Sequence, residues 1–365
     1  MSAAVDHARW RERFPVLDSV AYLNAGTGGP LPAAAAEAVA EEVTWQARSG
    51  RSLAYMDRRD ERVEELRMAF AALIGAAACE VAVTTSTSEG IARVLHGLEL
   101  RAGDEVLVSD EEHPALLGCL ADLRDRVGIA IRAVAAEEIA ATVTPATKLV
   151  ACSHVSWLTG RLAPPQLARL DVPVLLDGAQ AAGAIPVDVA ALGCDFYAAP
   201  GHKWLCGPAG TGLLFVAPKW HERLAAARAY NNLHDPADPL HSAAHPDARA
   251  FDTPTVSLEA AAGALAALGT LAELGWSEVH ARGRALAAWL RLRLRDDVGV
   301  EPIGPGGATL VAWPTADAAA TRRAFDARSI AVRELGDTRL RASTGAWNSD
   351  ADLDALVAAL GSRAA

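Results

Sequence analysis

Short apolar segments that alternate with helical patterns are the feature that most constrains the fold of this chain. Seven of them lie between residues 80 and 216 and are predicted to be strands. They are EVAVTT (80–85), DEVLVSD (104–110), IAIRAV (129–134), KLVACSH (148–154), VPVLLD (172–177), DFYAA (195–199) and TGLLFV (211–216). Several are apolar throughout, which is typical of strands covered by helices on both faces. The sequence therefore predicts an α/β fold with a mostly parallel, doubly wound, seven-stranded sheet.

The regions around these strands predict a large and a small domain. Two long helices, starting at Leu31 and Arg58 and each ended by glycine, precede the first strand. A helical and strand pattern after residue 255 predicts a smaller α+β unit. We expect an N-terminal segment (1–20) that packs with the small domain, a large domain that carries the site (21–254) and the small C-terminal domain (255–365).

Composition and charge exclude several classes of function. Of the 365 residues 51% are hydrophobic and 22% are charged, which is typical of a soluble globular protein with a large core. The formal net charge of -11 at pH 7 argues against nucleic acid or an anionic membrane as a partner. We predict no membrane helix, no secretory signal, and five reduced cysteines at no metal-like spacing, hence a cytoplasmic protein.

A stretch rich in Pro, Asn, His and Asp at residues 227–257 is predicted to be a long irregular connection. It contains a histidine and aspartate cluster: His234, Asp235, Asp238, His241 and His245. A metal site is one interpretation of this cluster, but the intervening prolines break any helical i, i+4 geometry. We therefore expect a mobile lid or a dimer loop there, and no metal.

The ligand chemistry is indicated by the residues that follow the predicted strands. The sequence contains no G-x-G-x-x-G opening a helix and no G-x-x-x-x-G-K-[ST] loop, so neither nucleotide motif applies. In an open parallel sheet the ligand still lies at the carboxyl ends of the strands. The segment STSEG (86–90), which contains Thr87 and Ser88, follows the first strand and is a helix start suited to a phosphate, although a plain N-cap also explains it.

Three further side chains stand after strands. His113 follows the second strand, Asp177 ends the fifth, and Lys203 lies in the turn PGHKW (200–204) after the sixth. An anion seat, an imidazole, a strand-end carboxylate and an isolated lysine together match pyridoxal 5'-phosphate (PLP), which has a phosphate, an aromatic ring, a basic ring nitrogen and an aldehyde. We therefore predict that Lys203 holds the aldehyde of PLP.

The segment DGAQAAG…GCDFYAAPGHKWLCGPAGTGLLFV (177–216) resembles the PLP site of the class V aminotransferase family, which has fold type I. That family includes cysteine desulfurases, isopenicillin N epimerase and cysteine/cystine C–S lyases. The resemblance runs from YLNAGTGGPLP (22–32) to LRASTGAWNSDADLDAL (340–356). It implies a homodimer with active sites at the interface and a small amino-acid substrate.

The resemblance also implies a role for each matching residue. Lys203 would form the Schiff base with PLP and then act as the base, while Asp177 would pair with the ring nitrogen. His113 would stack on the ring and Gln180 would contact its phenolic oxygen. The remaining implied ligands are Thr87, Ser88 and His202 for the phosphate, Thr253 for the phosphate of the neighbouring subunit, and Arg341, Trp157 and Asn24 for the substrate.

Departures from the family pattern bear on the activity. Cysteine desulfurases carry a nucleophilic cysteine before the carboxylate-binding arginine, whereas no cysteine follows Cys206 here. Pro200 stands where desulfurases have a serine, and Trp157 stands where they have an asparagine. Trp157 resembles the C–S lyase branch, where it either shapes the substrate pocket or belongs to the core.

We therefore expect a C–S lyase that acts by β-elimination on cysteine, cystine or an S-substituted cysteine. Three alternatives stay open: an aminotransferase or epimerase with the same cofactor, a cysteine desulfurase, which the missing cysteine disfavours, and a non-catalytic binding protein. The intact Lys203 and Asp177 argue against the last.

Overall fold

The computed structural model describes residues 6–226, 229, 232–235 and 237–364. Its α-helices in chain order are α1 (His7–Arg11), α2 (Ala33–Ser49), α3 (Leu53–Ile74), α4 (Thr87–Gly97), α5 (Pro114–Val127), α6 (Ile139–Thr142), α7 (Val189–Leu192), α8 (Leu258–Leu274), α9 (Trp276–Asp296), α10 (Ala318–Asp326) and α11 (Asp350–Ala364). Its strands are β1 (Ala21–Tyr22), β2 (Val81–Thr84), β3 (Glu105–Ser109), β4 (Ala130–Val134), β5 (Thr147–Ser153), β6 (Val174–Asp177), β7 (Phe196–Pro200), β8 (Gly212–Val216), β9 (Leu310–Pro314), β10 (Ile330–Ala331), β11 (Arg333–Glu334) and β12 (Arg339–Ser343).

The main sheet has seven strands in the order β2-β8-β7-β6-β5-β3-β4. All neighbouring pairs are parallel except those of β8, which runs antiparallel to both β2 and β7. Each of the seven predicted strands is present, and no strand end differs from its predicted position by more than two residues. The prediction of a mostly parallel α/β sheet is confirmed.

Helices cover both faces of this sheet, which explains why its strands are apolar throughout. Along β5, Val150 packs with α3 and α8 on one face, while its neighbours Leu149 and Ala151 pack with α4 and α5 on the other. Successive side chains of a strand point to opposite faces, so a strand between two helical layers buries every residue. The carboxyl ends of the parallel strands are thereby left at one open edge.

The C-terminal residues form a smaller antiparallel sheet of order β11-β12-β9, which packs with α9, α10 and α11. The N-terminal α1 lies against this part of the chain, because the Arg11 guanidinium bonds to the Asp352 carboxylate at 2.7 Å. Helix α8 contacts α2 and α3 on one side and the aromatic cluster around Trp347 on the other. Since α8 packs on both units, the boundary at 255 stays a prediction.

No helix in the described part of the chain is by itself long and apolar enough to cross a membrane. Helices α8 and α9 together reach that length and composition, but the pair is bent by 80°. Most of the α8 side chains are buried in the protein core.

Candidate active site

A cavity of about 260 Å³ opens at the carboxyl ends of β5, β6 and β7. The start of α4 and the β11–β12 hairpin of the small sheet complete its wall. Nine of the predicted site residues line it: Thr87, Ser88, His113, Trp157, Asp177, Gln180, His202, Lys203 and Arg341. The structure therefore gathers most of the predicted site around one cavity.

Lys203 lies in the turn between β7 and β8, and its amine is held among apolar and cationic neighbours. The pKa of Lys203 is lowered to about 8, mainly by burial; the charge of Asp177 opposes this, and the charges of Arg341 and Arg333 add to it. An amine with such a pKa is partly unprotonated near neutral pH and can act as a nucleophile or base. The turn is braced by Gly29, where an added Cβ would lie 2.0 Å from the Lys203 carbonyl oxygen.

Asp177 ends β6 and is 5% exposed. Its Oδ1 accepts a hydrogen bond from the Ala179 backbone N–H at 2.8 Å. Burial raises the pKa of Asp177, and the positive charge of Lys203 counteracts this. A carboxylate in such a place is stabilised by a cation, and a protonated ring nitrogen supplies one.

His113 is the N-cap of α5, and its Nδ1 accepts the backbone N–H of Ala115 at 3.1 Å. The proton of the neutral ring is therefore on Nε2. Burial lowers the pKa of His113 to about 4, helped by the charges of Lys203 and Arg341. The ring of Trp157 meets it edge-on, with centroids 4.9 Å apart. His113 is thus a neutral, oriented imidazole at the cavity wall.

The start of α4 supplies the expected anion seat. Ser86 caps the helix by accepting the Glu89 backbone N–H at 3.1 Å, and Thr87 and Ser88 follow in the first turn. Backbone N–H groups and the dipole of a helix start favour a phosphate. Pro200 also lines the cavity but offers neither a hydroxyl nor an N–H.

Arg341, in β12, is 2% exposed, and its Nη1 donates to the Trp157 carbonyl at 2.7 Å. Burial lowers the pKa of Arg341 to about 9, with a further contribution from Arg333. A buried guanidinium is a strong two-pronged donor to a carboxylate. The close approach of Gly26 leaves room for this group, since a Cβ there would lie 2.7 Å from Nη2.

Several buried polar atoms around the cavity have no hydrogen-bond partner. They are Thr87 Oγ1, Trp157 Nε1, His202 Nδ1 and Arg341 Nε at the cavity, with Asn24 Oδ1 and Ser343 Oγ behind it. Such atoms are rare in native proteins because each one costs free energy. The donors among them at the cavity, such as Trp157 Nε1 and Arg341 Nε, suit a ligand with acceptor oxygens, which the phosphate of PLP and the carboxylate of an amino acid provide. The residues present therefore fit PLP.

Gln180 lines the cavity, and both the nitrogen and the oxygen of its side-chain amide already form hydrogen bonds within the protein. Its Nε2 donates to the Gly26 carbonyl at 2.8 Å, and its Oε1 accepts from Trp204 Nε1 at 3.0 Å. One N–H of the amide remains for a ligand. The contact with the phenolic oxygen stays a prediction.

Two predicted site residues lie outside the cavity. Asn24 pairs with Ser343 beside the Arg341 strand. Thr253 donates its hydroxyl to Glu89 at 2.7 Å and lines a separate cavity of about 450 Å³ next to α3. Its contact with the phosphate of a neighbouring subunit remains a prediction.

Several described residues that line the cavity were not assigned to the site by sequence reasoning, and Arg333 is the one among them that carries a charge. It lies directly opposite Arg341 in the register of β11 and β12, so both side chains point to the same face. Hairpin pairing across the short Arg333–Arg341 connection is the signal that identifies it.

No cysteine is among the described residues that line the cavity. Cys206 is fully buried in the turn after Lys203, with a positive φ of 56° and its Sγ 3.9 Å from the Trp204 carbonyl. Burial raises the pKa of the Cys206 thiol well above its usual range. It is a packing residue with little thiolate character.

In residues 232–235 and 237–245 of the predicted lid, no three His, Cys, Asp or Glu side chains lie close enough together to hold a metal ion. The rings of His234 and His245 stack with centroids 6.2 Å apart, and His241 bonds to Asp238 at 2.9 Å. Parts of the predicted loop, at 227–228, 230–231 and 236, lie outside the described residues.

The fold and the cavity define a PLP-dependent enzyme of fold type I. The family model for aminotransferase class-V matches residues 21–356, and the chain belongs to that family. The structural comparison agrees. Two structures of C-DES superpose over 96% and 95% of this chain with TM-scores of 0.91 and 0.89, at 27% and 28% identity. The superposed regions cover 98% and 99% of the two C-DES chains.

One of these structures is a lysine-to-alanine mutant of C-DES with glycine covalently linked to its PLP cofactor. The other is the cystine C–S lyase C-DES with its reaction product, cysteine persulfide. Among curated proteins, isopenicillin N epimerase from Streptomyces clavuligerus is 29% identical and covers 98% of both chains. A probable cysteine desulfurase from Methanothermobacter thermautotrophicus is 34% identical over 57% of this chain and 55% of its own length. PLP is therefore the cofactor of this enzyme.

Proposed function

We propose that this enzyme is a C–S lyase that cleaves the Cβ–S bond of cystine or an S-substituted cysteine. The observation that carries the proposal is the β11–β12 hairpin. It contributes two guanidinium groups to the cavity, Arg333 and Arg341, and no thiol.

The short hairpin supports elimination over desulfuration. Only residues 335–338 separate β11 from β12, and the Leu335 backbone N–H bonds to the Arg339 carbonyl at 2.8 Å. Such a turn has no loop that could carry a cysteine to the substrate sulfur. Sulfur then has to leave as a thiolate or persulfide when the Cβ–S bond breaks.

The second arginine supports a substrate with two acidic ends. Arg341 is buried and suits the α-carboxylate, whereas Arg333 is exposed at the mouth of the cavity and suits a group further from the reacting carbon. Cystine carries its second carboxylate there. Cysteine and S-alkyl cysteines do not, so Arg333 favours cystine among these substrates.

The proposed chemistry assigns one task to each polar group. PLP supplies an aldehyde for the substrate amine and a ring that accepts electrons from Cα. Arg341 binds the α-carboxylate and thereby orients the Cα–H bond. Nζ of Lys203, with a pKa near 8, accepts the Cα proton, and Asp177 keeps a proton on the ring nitrogen. The neutral ring of His113 would pack against the cofactor ring without adding charge.

Products distinguish the proposed lyase from a desulfurase. Elimination gives pyruvate and ammonia after water attacks the released enamine, whereas desulfuration gives alanine. We therefore expect pyruvate from cystine with the purified enzyme, and we expect it also when all five cysteines are replaced. Alanine as the main product, lost on replacing a single cysteine such as Cys206, contradicts the proposal.

A variant tests the role of Arg333 directly. Arg333→Gln removes the charge at the cavity mouth and leaves Arg341 in place. The value of kcat/KM for cystine should fall by about tenfold or more, while that for an S-methyl cysteine changes little, because only cystine has a second carboxylate. Arg339→Gln on the exposed end of β12 is the matched control. Equal losses for both substrates would refute the assignment.

Epimerisation is the second candidate, favoured by the similarity to isopenicillin N epimerase along the whole chain. An epimerase exchanges the Cα hydrogen with solvent and retains the amino group. Incubation in D₂O separates the two activities: deuterated amino acid without pyruvate supports epimerisation, and pyruvate supports the lyase.

We also propose a cytoplasmic homodimer with the small domain at 255–365. This assembly is what the family resemblance implies; in it, Thr253, which lines an accessible cavity beside α3, would exchange its bond to Glu89 for the phosphate of the neighbouring subunit. Light scattering measures the mass in solution, and Thr253→Ala should weaken PLP binding if a second subunit receives this hydroxyl.

A further inference from the structure

The carboxyl group of Glu112 is buried beneath the active-site cavity and has no part in the proposed reaction. Glu112 lies between β3 and α5, directly before His113, and is 5% exposed. Its Oε1 accepts the Ser153 backbone N–H at 2.9 Å and a hydrogen bond from the Ser109 hydroxyl. Its Oε2 accepts the Ser153 hydroxyl at 2.7 Å.

These three hydrogen bonds join strand ends that carry active-site residues. Ser153 ends β5, lines the cavity, and lies opposite Asp177 in the β5–β6 pairing. Ser109 ends β3, and His113 follows Glu112 along the chain. One carboxyl group therefore links the His113 turn to the strand end next to Asp177.

The burial of this group is not explained by stability. Removing a carboxylate from water is unfavourable, and an apolar side chain of similar size often stabilises such a place as well or better. The neighbouring Glu111 differs, because its carboxylate bonds to the Thr159 hydroxyl at 2.6 Å and faces Arg161. Only Glu112 contacts the strand end at the cofactor site.

The hydrogen-bond partners suit both ionisation states of the group. Burial raises the pKa of Glu112 to about 7, and the charge of Asp177 raises it too, while the two serines lower it. The thiol of Cys152 on β5 also faces it. Because a hydroxyl can donate or accept, Ser109 and Ser153 keep their bonds whether the carboxyl group is charged or neutral.

We propose that Glu112 is a positioning residue of the active site. Its carboxyl group fixes the end of β5 relative to the turn that carries His113, so that Ser153, Asp177 and His113 keep their places around the cofactor ring. The hydrogen bonds, and not the negative charge, perform this task. This inference does not depend on which amino acid the enzyme cleaves.

Two substitutions in the holoenzyme test the proposal. Glu112→Gln keeps the shape and the hydrogen bonds, since its oxygen accepts the Ser153 N–H and its amide donates to the Ser153 hydroxyl. Glu112→Leu keeps the approximate volume and removes every bond. Glu111→Gln is the matched control, because it makes the same change of charge one residue away. We measure the rate of PLP release, the absorbance spectrum of the bound cofactor and thermal unfolding.

The leucine variant should release PLP about tenfold faster or more and shift the absorbance maximum, because it leaves the Ser153 N–H unpaired. The glutamine variant and the control should match the wild type within about threefold. If the leucine variant does not fold, Ser109→Ala takes its place, with release about fivefold faster.

Three results overturn the proposal. The first is release and absorbance like the wild type in Glu112→Leu, even if its unfolding temperature falls, since that marks a role in stability alone. The second is a glutamine variant as impaired as the leucine variant, because the charge would then be the acting feature. The third applies if the leucine variant does not fold: it is a rate of PLP release in Ser109→Ala equal to that of the wild type.

Discussion

Replacing Lys203 by methionine is expected to stabilise the cofactor-free protein. Methionine keeps most of the apolar stem and removes an ammonium group that burial disfavours. The pKa of Lys203 is about 8 in the folded protein and 10.5 without the fold. At 1.36 kcal/mol per pH unit this difference corresponds to about 3 kcal/mol of lost stability.

The sign of this contribution fixes its pH dependence. The folded-state pKa is lowered, so between pH 8 and 10.5 the unfolded chain binds more protons than the folded protein. The destabilisation is fully present below pH 8 and disappears as the pH rises through 10.5. Methionine should therefore add up to about 3 kcal/mol to the free energy of unfolding at pH 7 and progressively less towards pH 10.

Urea unfolding of the cofactor-free wild type and Lys203→Met, followed by circular dichroism at pH 7, 8, 9 and 10, measures the effect. Lys148→Met is the control, because the Lys148 side chain is exposed and bonds only to the Pro145 carbonyl at 2.8 Å. It should change stability by less than about 0.5 kcal/mol. A Lys203→Met protein less stable than the wild type at pH 7, or a difference that does not vary with pH, refutes the reasoning.

Two further predictions concern the same site. Asp177→Asn should still bind PLP but lose at least about a hundredfold in turnover, because an amide does not hold a proton on the ring nitrogen. Absorbance measures the bound PLP and steady-state kinetics measures the turnover; retained turnover contradicts the prediction. Arg341→Lys should raise KM by about tenfold or more with bound PLP unchanged, since an ammonium group lacks the two-pronged geometry; an unchanged KM contradicts it.

Much of the site could be predicted from sequence because of the way parallel sheets are built. Asp177 and Lys203 each follow a buried strand, and the carboxyl ends of parallel strands meet at one edge. Residues far apart in the chain are therefore brought together once the strands are identified. The structure shows where these side chains lie. The roles of individual ligands came from family resemblance, and all of them stay predictions.

Other features depend on tertiary contacts that the local sequence does not contain. Glu111 and Glu112 are adjacent and chemically identical, and only the approach of β5 decides which carboxylate is buried. Helix α3 begins at Leu53, five residues before the predicted start at Arg58. The prediction started too late because residues 53–57 show no clear apolar period, and Leu53 itself is 82% exposed. Arg333 became visible as a site residue only through strand register.

The cavity divides its tasks between two parts of the chain. The large sheet and α4 provide the groups that fit the cofactor, namely Lys203, Asp177 and the phosphate seat, whereas the β11–β12 hairpin provides both guanidinium groups. The hairpin contacts the segment after β5 through the bond from Arg341 to the Trp157 carbonyl. Changes in hairpin length or charge can therefore alter which amino acid is held without disturbing the cofactor. A short hairpin with two arginines and no thiol matches the elimination from a dicarboxylic disulfide that we propose.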